Sequence, residues 1–453
     1  MKISFIDDEP EIFPLQYGGK ARTITSLANS LKKFNEVEQV TILSRSIRHT
    51  SSEFLYEGVR FKKLEKYGIA RQILEEASSC DVLNVHFCSF TMPYLNDFET
   101  ILVYHLHDVI FATVDSGSHL DKALGSNWSA IISPSHFASL TLSNLGWWTS
   151  LKDRIVTIPR GIDFCTFFPK TKEEGLKSIS GFYSALAERI STSYPILFFP
   201  NRYKAGKGEE LLPELYELMI KKYPNLLIIA TSEDAAIQQE IEKIPWIPTQ
   251  YMKDYYSIAD VTIVPTKVPE SFSQIPLESI VCGTPVVVFK FGNLTNLVEE
   301  IPSIKASKPC CNDLVEIIYS ILETSNDTRQ SELASSKEII QNKYNIDIIS
   351  KRLFEIYKKL PKNSETEQPV ITRTFQERRY FLSPLIAKYD NEIFIPERSS
   401  NIKRHDLNKV EQELIEFCKV TMPFSMISKK FYEYQQINEV IKDLVEREIL
   451  VEV

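Results

Sequence analysis

Residues 261–289 read VTIVPTKVPESFSQIPLESIVCGTPVVVF, and this stretch decides the fold class. An apolar run at Val261–Val264 is typical of a buried strand, and a second run follows at Val286–Phe289. Between them, Pro276 suits the first turn of a helix, because its missing N–H would have no partner there. A strand, a loop, a helix and another strand in this order predict neighbouring parallel strands in a sheet covered by helices.

The same alternation of strand and helix patterns continues toward the N terminus. Strand candidates at Ile196–Phe199 and Leu226–Ala230 belong to the same series as the stretch above. An earlier series contains six strand candidates: Lys2–Ile6, Val40–Leu43, Asp81–Val85, Ile101–Tyr104, Ala130–Ile132 and Ile155–Ile158. The sequence therefore predicts an α/β protein with two Rossmann-like, doubly wound halves, at 1–165 and 166–345.

The C-terminal quarter of the chain has a different character. A helical period predicts a helix at 346–360 that closes the second half, and the polar segment 361–369 predicts a linker. Residues 370–453 combine an extended opening with helices near 408–418 and 437–447 and a final strand, a pattern that resembles a winged-helix module of the α+β class. Because the linker offers few apolar anchors, we expect the two halves to stay folded when this module is removed.

Composition excludes several classes of protein. The 453 residues are 43% hydrophobic and 25% charged, which indicates a globular chain of two or three domains. The net charge of −8 argues against nucleic acid or anionic lipid as the main partner. The sequence shows no secretory signal and no apolar run of about 18 residues, so we expect a cytoplasmic protein without a transmembrane segment. The seven cysteines lack the paired spacing of a zinc site, and no metal site is expected.

The loop after Val261–Val264 carries two glutamates at a spacing that suits a nucleotide ligand. A loop that runs into a helix N-terminus favours phosphate, because free amides and the positive end of the helix dipole lie there. Glu278, inside the helix, can accept hydrogen bonds from a ribose diol, and Glu270 stays in the loop near a sugar. Phe272 and Ser273, between them, are predicted to bind the same ligand.

The loop after Ile196–Phe199 carries a second set of candidate residues. Arg202 and Lys207 lie on a glycine-containing loop ahead of a helix pattern. A diphosphate leaving group requires cationic partners, and these two side chains supply them. An exposed basic turn is the alternative interpretation.

Two further loops contribute candidates from the N-terminal half. Gly18 and Gly19 let the backbone approach a phosphate or an acceptor closely, although a plain turn is the alternative. They lack the G-x-G-x-x-G pattern of dinucleotide-binding proteins, which argues against a dehydrogenase. His107 follows the strand at Ile101–Tyr104, where a histidine can also be a purely structural residue.

The string from Glu270 to Gly283-Thr-Pro285 resembles the E-x7-E signature of glycosyltransferase family 4. Arg202 and Lys207 match the family's GR…KG loop, except that Asn201 replaces its usual glycine. The other motifs follow in the family's order over about residues 1–358.

In the N-terminal half, Gly18 and Gly19 match the family's glycine pair, and His107 matches its HD step beside the sugar donor. Two departures occur. Arg160 stands where asparagine is common in the PNGID step at the hinge, and the loop at Gly292 lacks the family's second glycine.

The resemblance implies a GT-B fold, with two Rossmann-like domains that face a cleft. It implies transfer of a sugar from a nucleoside diphosphate donor with retention at the anomeric carbon, without a metal or another cofactor. The implied catalytic residues are His107, Glu270, Arg202 and Lys207. The implied donor-binding residues are Gly18, Gly19, Arg202, Lys207, Phe272, Ser273 and Glu278.

The partner of residues 370–453 and the acceptor are left open. With 13 Lys+Arg and 14 Asp+Glu, this segment lacks the basic surface of a DNA-binding module. It resembles the peptide-recognition modules of enzymes that modify ribosomally made peptides, which implies a peptide or natural product as acceptor. Packing or dimerisation is the alternative role.

Other functions remain as alternatives for the whole chain. They are a glycosyltransferase of cell-envelope or exopolysaccharide synthesis, a nucleotide-sugar epimerase, a phosphorylase, and a non-catalytic peptide-binding adaptor on a transferase scaffold. The presence of both glutamates together with Arg202 and Lys207 favours an enzyme over the adaptor.

Overall fold

The computed structural model describes most of the chain. The described residues are 1–7, 18–45, 47, 49, 51–65, 68–87, 98–107, 127–144, 151–201, 206–231, 241–245, 247–362, 365–366, 378–396, 402–434 and 436–452.

The first half is built on an eight-stranded sheet. Its strands are β1 (Lys2–Asp7), β2 (Gln39–Ser44), β3 (Glu53–Tyr56), β4 (Val59–Lys63), β5 (Val82–Phe87), β6 (Ile101–His105), β7 (Ala130–Ser133) and β8 (Ile155–Thr157), and its helices include α1 (Gly19–Leu31), α2 (Ile69–Ala77) and α3 (His136–Asn144). The strand order is β3-β4-β2-β1-β5-β6-β7-β8, and only β3 runs antiparallel to its neighbour. The apolar positions of α1, spaced three and four residues apart, are buried in the core on this sheet.

The second half contains a six-stranded, fully parallel sheet. Its strands are β9 (Ile196–Phe199), β10 (Leu227–Thr231), β11 (Ile241–Ile244), β12 (Val261–Val264), β13 (Val286–Phe289) and β14 (Ile304–Ser307). Its helices include α4 (Lys172–Ser180), α5 (Ser184–Thr192), α6 (Leu212–Met219), α7 (Thr249–Ile258), α8 (Ile275–Val281), α9 (Leu294–Glu300), α10 (Cys311–Glu323) and α11 (Asn326–Tyr344). Strands β9, β10, β12 and β13 are buried along their whole length, as expected for a sheet covered on both faces. The predicted pair of α/β halves is therefore confirmed.

The order of strands in each sheet locates the crevice where a ligand can bind. In the first sheet, β1 lies between β2 and β5, and in the second sheet β9 lies between β10 and β12. In the first sheet, the chain leaves β1 toward β2 on one side and leaves β5 toward β6 on the other. In the second sheet, it leaves β9 toward β10 on one side and leaves β12 toward β13 on the other. Such a reversal opens a crevice at the carboxyl ends of the two adjacent strands. The carboxyl ends of β1, β9 and β12 border the two crevices.

Helix α12 (Ile346–Tyr357) returns to the first half of the molecule. Leu353 and Phe354 are buried in the core that also contains α1, and Ser350 Oγ lies 2.5 Å from Ser30 Oγ. The prediction that this helix closes the second half is wrong. A helical period shows that one face is buried, but it does not identify the sheet that covers this face.

The chain crosses between the halves at two adjacent points. The backbone N–H of Ile162 donates to the carbonyl of Tyr344 at 2.7 Å, and the N–H of Ile346 donates to the carbonyl of Ile162 at 3.0 Å. The two crossings are thus hydrogen-bonded to each other and form one hinge.

The C-terminal module contains two three-stranded antiparallel sheets and three helices in its described part. Its elements are β15 (Arg379–Leu382), β16 (Ala387–Tyr389), β17 (Glu392–Pro396), β18 (Ile402–Asp406), α13 (Lys409–Phe417), β19 (Met422–Pro423), α14 (Phe424–Lys430), α15 (Ile437–Glu446) and β20 (Leu450–Glu452). The sheets have the orders β19-β15-β20 and β16-β17-β18. Leu414, Ile427 and Leu444 join the helices in a core of the module's own. Its assignment as a winged helix stays a prediction.

The module packs against both halves. Phe381 of β15 is buried in a core of the first half, where Thr421 also donates its N–H to Asn144 Oδ1 at 3.0 Å. Tyr389 and Phe394 are buried in a core of the second half. Removal of the module would therefore lower the stability of the two halves, contrary to the expectation from the sequence, since each half would lose part of its buried apolar surface.

Candidate functional site

Lys207 and Glu270 meet at the carboxyl edge of the second sheet. Lys207 lies in the loop after β9 and Glu270 in the loop after β12, and these strands are neighbours. Lys207 Nζ is 2.5 Å from Glu270 Oε1, and both side chains are partly exposed. Arg202, the other predicted cation of the β9 loop, lies outside the described residues. The structure thus joins one predicted cation to one predicted carboxylate at the crevice.

The backbone of Glu270 is held by the loop after β13. The N–H of Asn293 donates to the carbonyl of Glu270 at 2.8 Å, and Gly292 pairs with Glu270 in an isolated parallel bridge. Gly292 has a φ of 64°, and a Cβ added there would lie 2.5 Å from the carbonyl oxygen of Glu270. A glycine is therefore required at position 292 for this loop to support Glu270. The second glycine that is usual in glycosyltransferase family 4, which the sequence resembles, is absent from the loop.

Phe272 and Ser273 lie between the glutamates, and both are buried. The ring of Phe272 belongs to the core of the second half and packs 5.8 Å from the ring of Tyr344. Its side chain is therefore committed to packing, and any contact with a ligand has to come from its backbone. Ser271 provides a link to the other half, because its carbonyl accepts a hydrogen bond of 2.7 Å from Ser135 Oγ.

Glu278 lies inside α8 and is 1% exposed. Tyr256 donates its hydroxyl to Glu278 Oε2 at 3.0 Å, and Arg22 Nη1 lies 2.9 Å from Oε1 and 3.0 Å from Oε2. Burial, together with the neighbouring negative charge, raises the pKa of Tyr256 well above its ordinary value, so the phenol remains a donor. Arg22 belongs to α1 of the first half, so this carboxylate connects the two halves.

The first turn of α1 faces the start of α8 across the cleft. Gly18 and Gly19 begin this helix, and Thr23 Oγ1 lies 2.8 Å from the carbonyl of Gly19 and 3.2 Å from Gln274 Oε1. Gln274 donates its Nε2 to the carbonyl of Gly161 at 3.1 Å, next to the hinge. The predicted glycine pair thus lies beside the predicted donor loop, although the two are far apart in sequence.

Three histidines form a cluster at the carboxyl edge of the first sheet. His86 Nδ1 lies 2.7 Å from His107 Nε2, and the rings of His86 and His105 stack at 4.3 Å. Arg160 Nη2 donates to His107 Nδ1 and to the His107 carbonyl, each at 3.1 Å. Since a guanidinium can only donate, His107 carries its proton on Nε2 and donates it to His86.

The environment keeps these histidines neutral. Burial first, and then the positive charge of Arg160, lowers the pKa of His105 to about 3 and that of His107 well below its ordinary value. Burial and the neighbouring His105, Lys20 and Arg160 lower the pKa of His86 in the same direction. His107 is therefore a neutral hydrogen-bonding group at physiological pH, and not a general acid.

Lys20 and Asp7 complete the edge of the first sheet. Lys20 Nζ lies 2.8 Å from Asp7 Oδ1, and both side chains are almost fully buried. Three cationic side chains thus lie around the crevice of the first half: Lys20, Arg22 and Arg160. The sequence interpretation named only Arg160, as a hinge residue. Lys20 and Arg22 could have been predicted as residues of the crevice from their position directly after Gly18 and Gly19.

The described ranges contain neither a metal-binding cluster nor a membrane-spanning helix. Within them, no group of three or more His, Cys, Asp and Glu side chains is placed to hold a metal ion. None of the helices in those ranges is long and apolar enough to cross a bilayer.

Residues 187–332 match the family described as Glycosyl transferases group 1. A D-inositol 3-phosphate glycosyltransferase of Xylanimonas cellulosilytica is 23% identical over 221 residues, which cover 45% of this chain and 51% of that protein. An uncharacterized glycosyltransferase of Methanocaldococcus jannaschii is 24% identical over 175 residues, covering 36% of this chain and 44% of that protein. The chain spans about half the length of these curated relatives.

Solved structures share the fold over both halves. Sucrose-phosphate synthase from Thermosynechococcus elongatus superposes with a TM-score of 0.62 at 16% identity, covering 79% of this chain and 98% of that chain. Anabaena HepE in complex with UDP and glucose superposes with a TM-score of 0.59 at 15% identity, covering 80% of this chain and 100% of that chain. The two halves therefore have the GT-B architecture.

Proposed function

We propose that this protein is a glycosyltransferase that uses a nucleoside diphosphate sugar as donor. The observation that carries the proposal is the pairing of Lys207 with Glu270 at the crevice of the second sheet, together with the buried Glu278 in the helix that follows the Glu270 loop. All three residues lie within the segment that matches the glycosyltransferase family. The presence of UDP and glucose in the similar HepE structure supports the same donor class.

Each part of the donor has a chemically suitable partner in the cleft. Glu278 can accept hydrogen bonds from the ribose diol, and Lys207 has three donors with which to bridge Glu270 and a phosphate oxygen. The predicted Arg202 would add a planar, bidentate phosphate ligand. Glu270 and the neutral His107 would hold the sugar by hydrogen bonds from the two sides of the cleft.

We propose a metal-independent reaction with retention at the anomeric carbon, as the resemblance to family 4 implies. Negative charge develops on the leaving diphosphate as its bond to the sugar breaks. A fixed cation such as Lys207 stabilises that charge in the transition state. The acceptor then attacks from the same face, and a phosphate oxygen takes its proton. NMR of the product would reveal the anomer, and an inverted anomer would contradict this mechanism.

Activity should survive EDTA, because the side-chain cations replace a metal at the diphosphate. We expect turnover with EDTA to equal turnover with added Mg²⁺ or Mn²⁺. Loss of activity that either ion restores would instead show a metal-dependent transferase.

A panel of nucleoside diphosphates and their sugars tests the donor class directly. A ligand that binds only the native state at 100 times its Kd stabilises it by about 2.7 kcal/mol, which thermal unfolding detects. Glu278→Gln is the control, since it keeps the shape of the side chain but removes the negative charge from the group that accepts hydrogen bonds from the ribose diol. Wild-type protein that is stabilised by none of these ligands would refute the proposed function.

Acceptor recognition by the C-terminal module stays a proposal. Its described surface exposes large apolar side chains, among them Met426 and Tyr432, which is 76% exposed. Because the module is packed into both halves, substitution at the surface is a better test than truncation. Tyr432→Ala with Met426→Ala should raise KM for the natural acceptor and leave donor hydrolysis unchanged. An unchanged KM would favour the packing role.

A further inference from the structure

Tyr256 is a buried tyrosine whose hydroxyl meets the carboxylate of Glu278. It belongs to α7, its side chain is fully buried, and its hydroxyl donates to Glu278 Oε2 at 3.0 Å. Burial, together with the charge of Glu278, raises the pKa of Tyr256 well above its ordinary value. The phenol therefore keeps its proton at physiological pH, and Glu278 always faces a neutral hydrogen-bond donor on this side.

The position of the Tyr256 hydroxyl is fixed by contacts of its ring and of its backbone. The ring packs edge-on against Phe198 of β9, with 5.4 Å between the ring centroids. Thr284, in the turn between α8 and β13, donates its Oγ1 to the Tyr256 carbonyl at 2.6 Å. Glu278 belongs to α8, so the segment that presents the carboxylate also holds the backbone of the tyrosine. The two residues are therefore kept at a constant distance.

Glu278 has room for a further ligand beside Tyr256. A carboxylate has about four acceptor positions. The hydrogen bonds from Tyr256 and from Arg22 Nη1 both end on Oε2, each at 3.0 Å, so two positions stay open. A ribose diol has two hydroxyl donors, which matches the number of open positions. Tyr256 can thus keep its hydrogen bond to Glu278 while ribose is bound.

The rotation of the Glu278 carboxylate decides how well it can accept from a diol. The two hydroxyls of a diol are fixed relative to each other, so a carboxylate accepts from both only over a narrow range of rotation. The terminal torsion of a glutamate has broad minima and does not select such a range by itself. A donor held at Oε2 selects it before the ligand arrives, and this preorganisation removes an ordering cost from binding.

We infer that Tyr256 is a positioning residue: it orients Glu278 and thereby sets the preference of the cleft for a ribonucleotide over a nucleotide that lacks the diol. The inference rests on the proposed function, which assigns the ribose to Glu278. Tyr256 acts through the carboxylate and does not contact the donor itself. Its effect is therefore confined to recognition of the diol, and the binding of the base and of the diphosphate does not depend on it.

Calorimetry with two ligands measures this preference. The ribonucleoside diphosphate contains the diol and the 2′,3′-dideoxynucleoside diphosphate lacks it; the base is the one that the thermal panel identifies. Wild-type protein should bind the ribonucleotide more tightly. Tyr256→Phe should lower the ribonucleotide affinity by about 3-fold to 10-fold, the cost of ordering one flexible side chain, and leave the dideoxynucleotide affinity unchanged. Tyr255→Phe is the matched control, since it removes a hydroxyl from the next residue of the same helix, whose ring also packs against Phe198, and it should change neither affinity.

The outcomes separate this inference from the proposed function. Wild-type protein that binds neither nucleotide refutes the proposed function. Wild-type protein that binds both equally removes the ribose from Glu278, and the inference with it. An unchanged preference in Tyr256→Phe, or an equal loss for both nucleotides, overturns the inference alone and limits Tyr256 to packing. If Tyr256→Phe does not fold, Thr284→Val takes its place, since it releases the Tyr256 backbone; it should lower the same preference, and an unchanged preference would overturn the inference.

Discussion

Substitution of Gly292 by alanine should displace Glu270 while leaving the nucleoside-binding end of the cleft intact. The new Cβ would lie 2.5 Å from the carbonyl oxygen and 2.6 Å from the nitrogen of Glu270, whereas ordinary contact begins at 3.4 Å. Both atoms are backbone, so neither can move by a change of rotamer. The loop at Glu270 must therefore shift by about 1 Å, and a misplacement of that size can lower a rate by about 100-fold.

The cost in stability has two parts. Alanine at a φ of 64° costs about 1–2 kcal/mol. The overpacking adds about 1–3 kcal/mol. We expect a loss of about 2–5 kcal/mol in the free energy of unfolding, measured with urea, and a loss of about 100-fold in kcat.

Gly68→Ala is the matched control. Gly68 has a φ of 94°, but a Cβ there meets no atom within 4 Å, so this variant has the backbone strain without the clash. It should lose stability and keep kcat. Nucleoside diphosphate affinity should stay within about threefold in Gly292→Ala, because Glu278 does not move. Unchanged turnover in Gly292→Ala would refute the claim that this loop positions Glu270.

Three further predictions concern single side chains. Lys207→Ala should lower kcat by about 10²–10³-fold, because it removes charge stabilisation of the leaving diphosphate; full turnover would remove Lys207 from the mechanism. The free energy of unfolding should fall as the pH is lowered below 6.5, because unfolded chains protonate His105 while the native state, with a pKa of about 3, does not. For His105 this amounts to about 2 kcal/mol between pH 7 and pH 5, measured with urea. His105→Gln should reduce the pH dependence by about that amount, because His86 and His107 still contribute, whereas a flat wild-type profile would contradict the prediction. Tyr389→Phe should lower kcat more than it raises KM for the donor. The Tyr389 hydroxyl accepts a hydrogen bond of 2.8 Å from the Lys290 N–H, at the start of the loop that holds Glu270. A change in stability without a change in kcat would limit Tyr389 to packing.

The sequence was sufficient to predict the two α/β halves and the placement of Lys207 and Glu270 in the loops after β9 and β12. Both follow from local patterns, since apolar runs mark strands and the carboxyl ends of neighbouring parallel strands meet at one edge. The short hairpin of β3 and β4 and the strands β11 and β14 were missed, because their apolar signals are weak. Helix α12 was assigned to the wrong half, because its period carries no information about its partner.

Contacts between distant segments could not be predicted from one sequence. Arg22 and Glu278 are separated by 256 positions, and the pairing depends on how the two halves face each other. The same holds for Arg160 and His107, which come together only because β6 and β8 flank β7. The assigned roles of His107, Glu270, Lys207 and Glu278 in binding or catalysis stay predictions.

The attachment of the C-terminal module to both halves limits how the cleft can open. Two bodies joined by a single hinge are free to swing and to twist. Here Phe381 ties the module to one body and Tyr389 ties it to the other, through the hydroxyl that donates to the Ser307 carbonyl. Ile393 and Leu450, from the module's two sheets, share one core, so the tie is not a loose tether. A wide swing would have to break one of these apolar contacts, so the movement of lowest free-energy cost is a small rotation that the module follows.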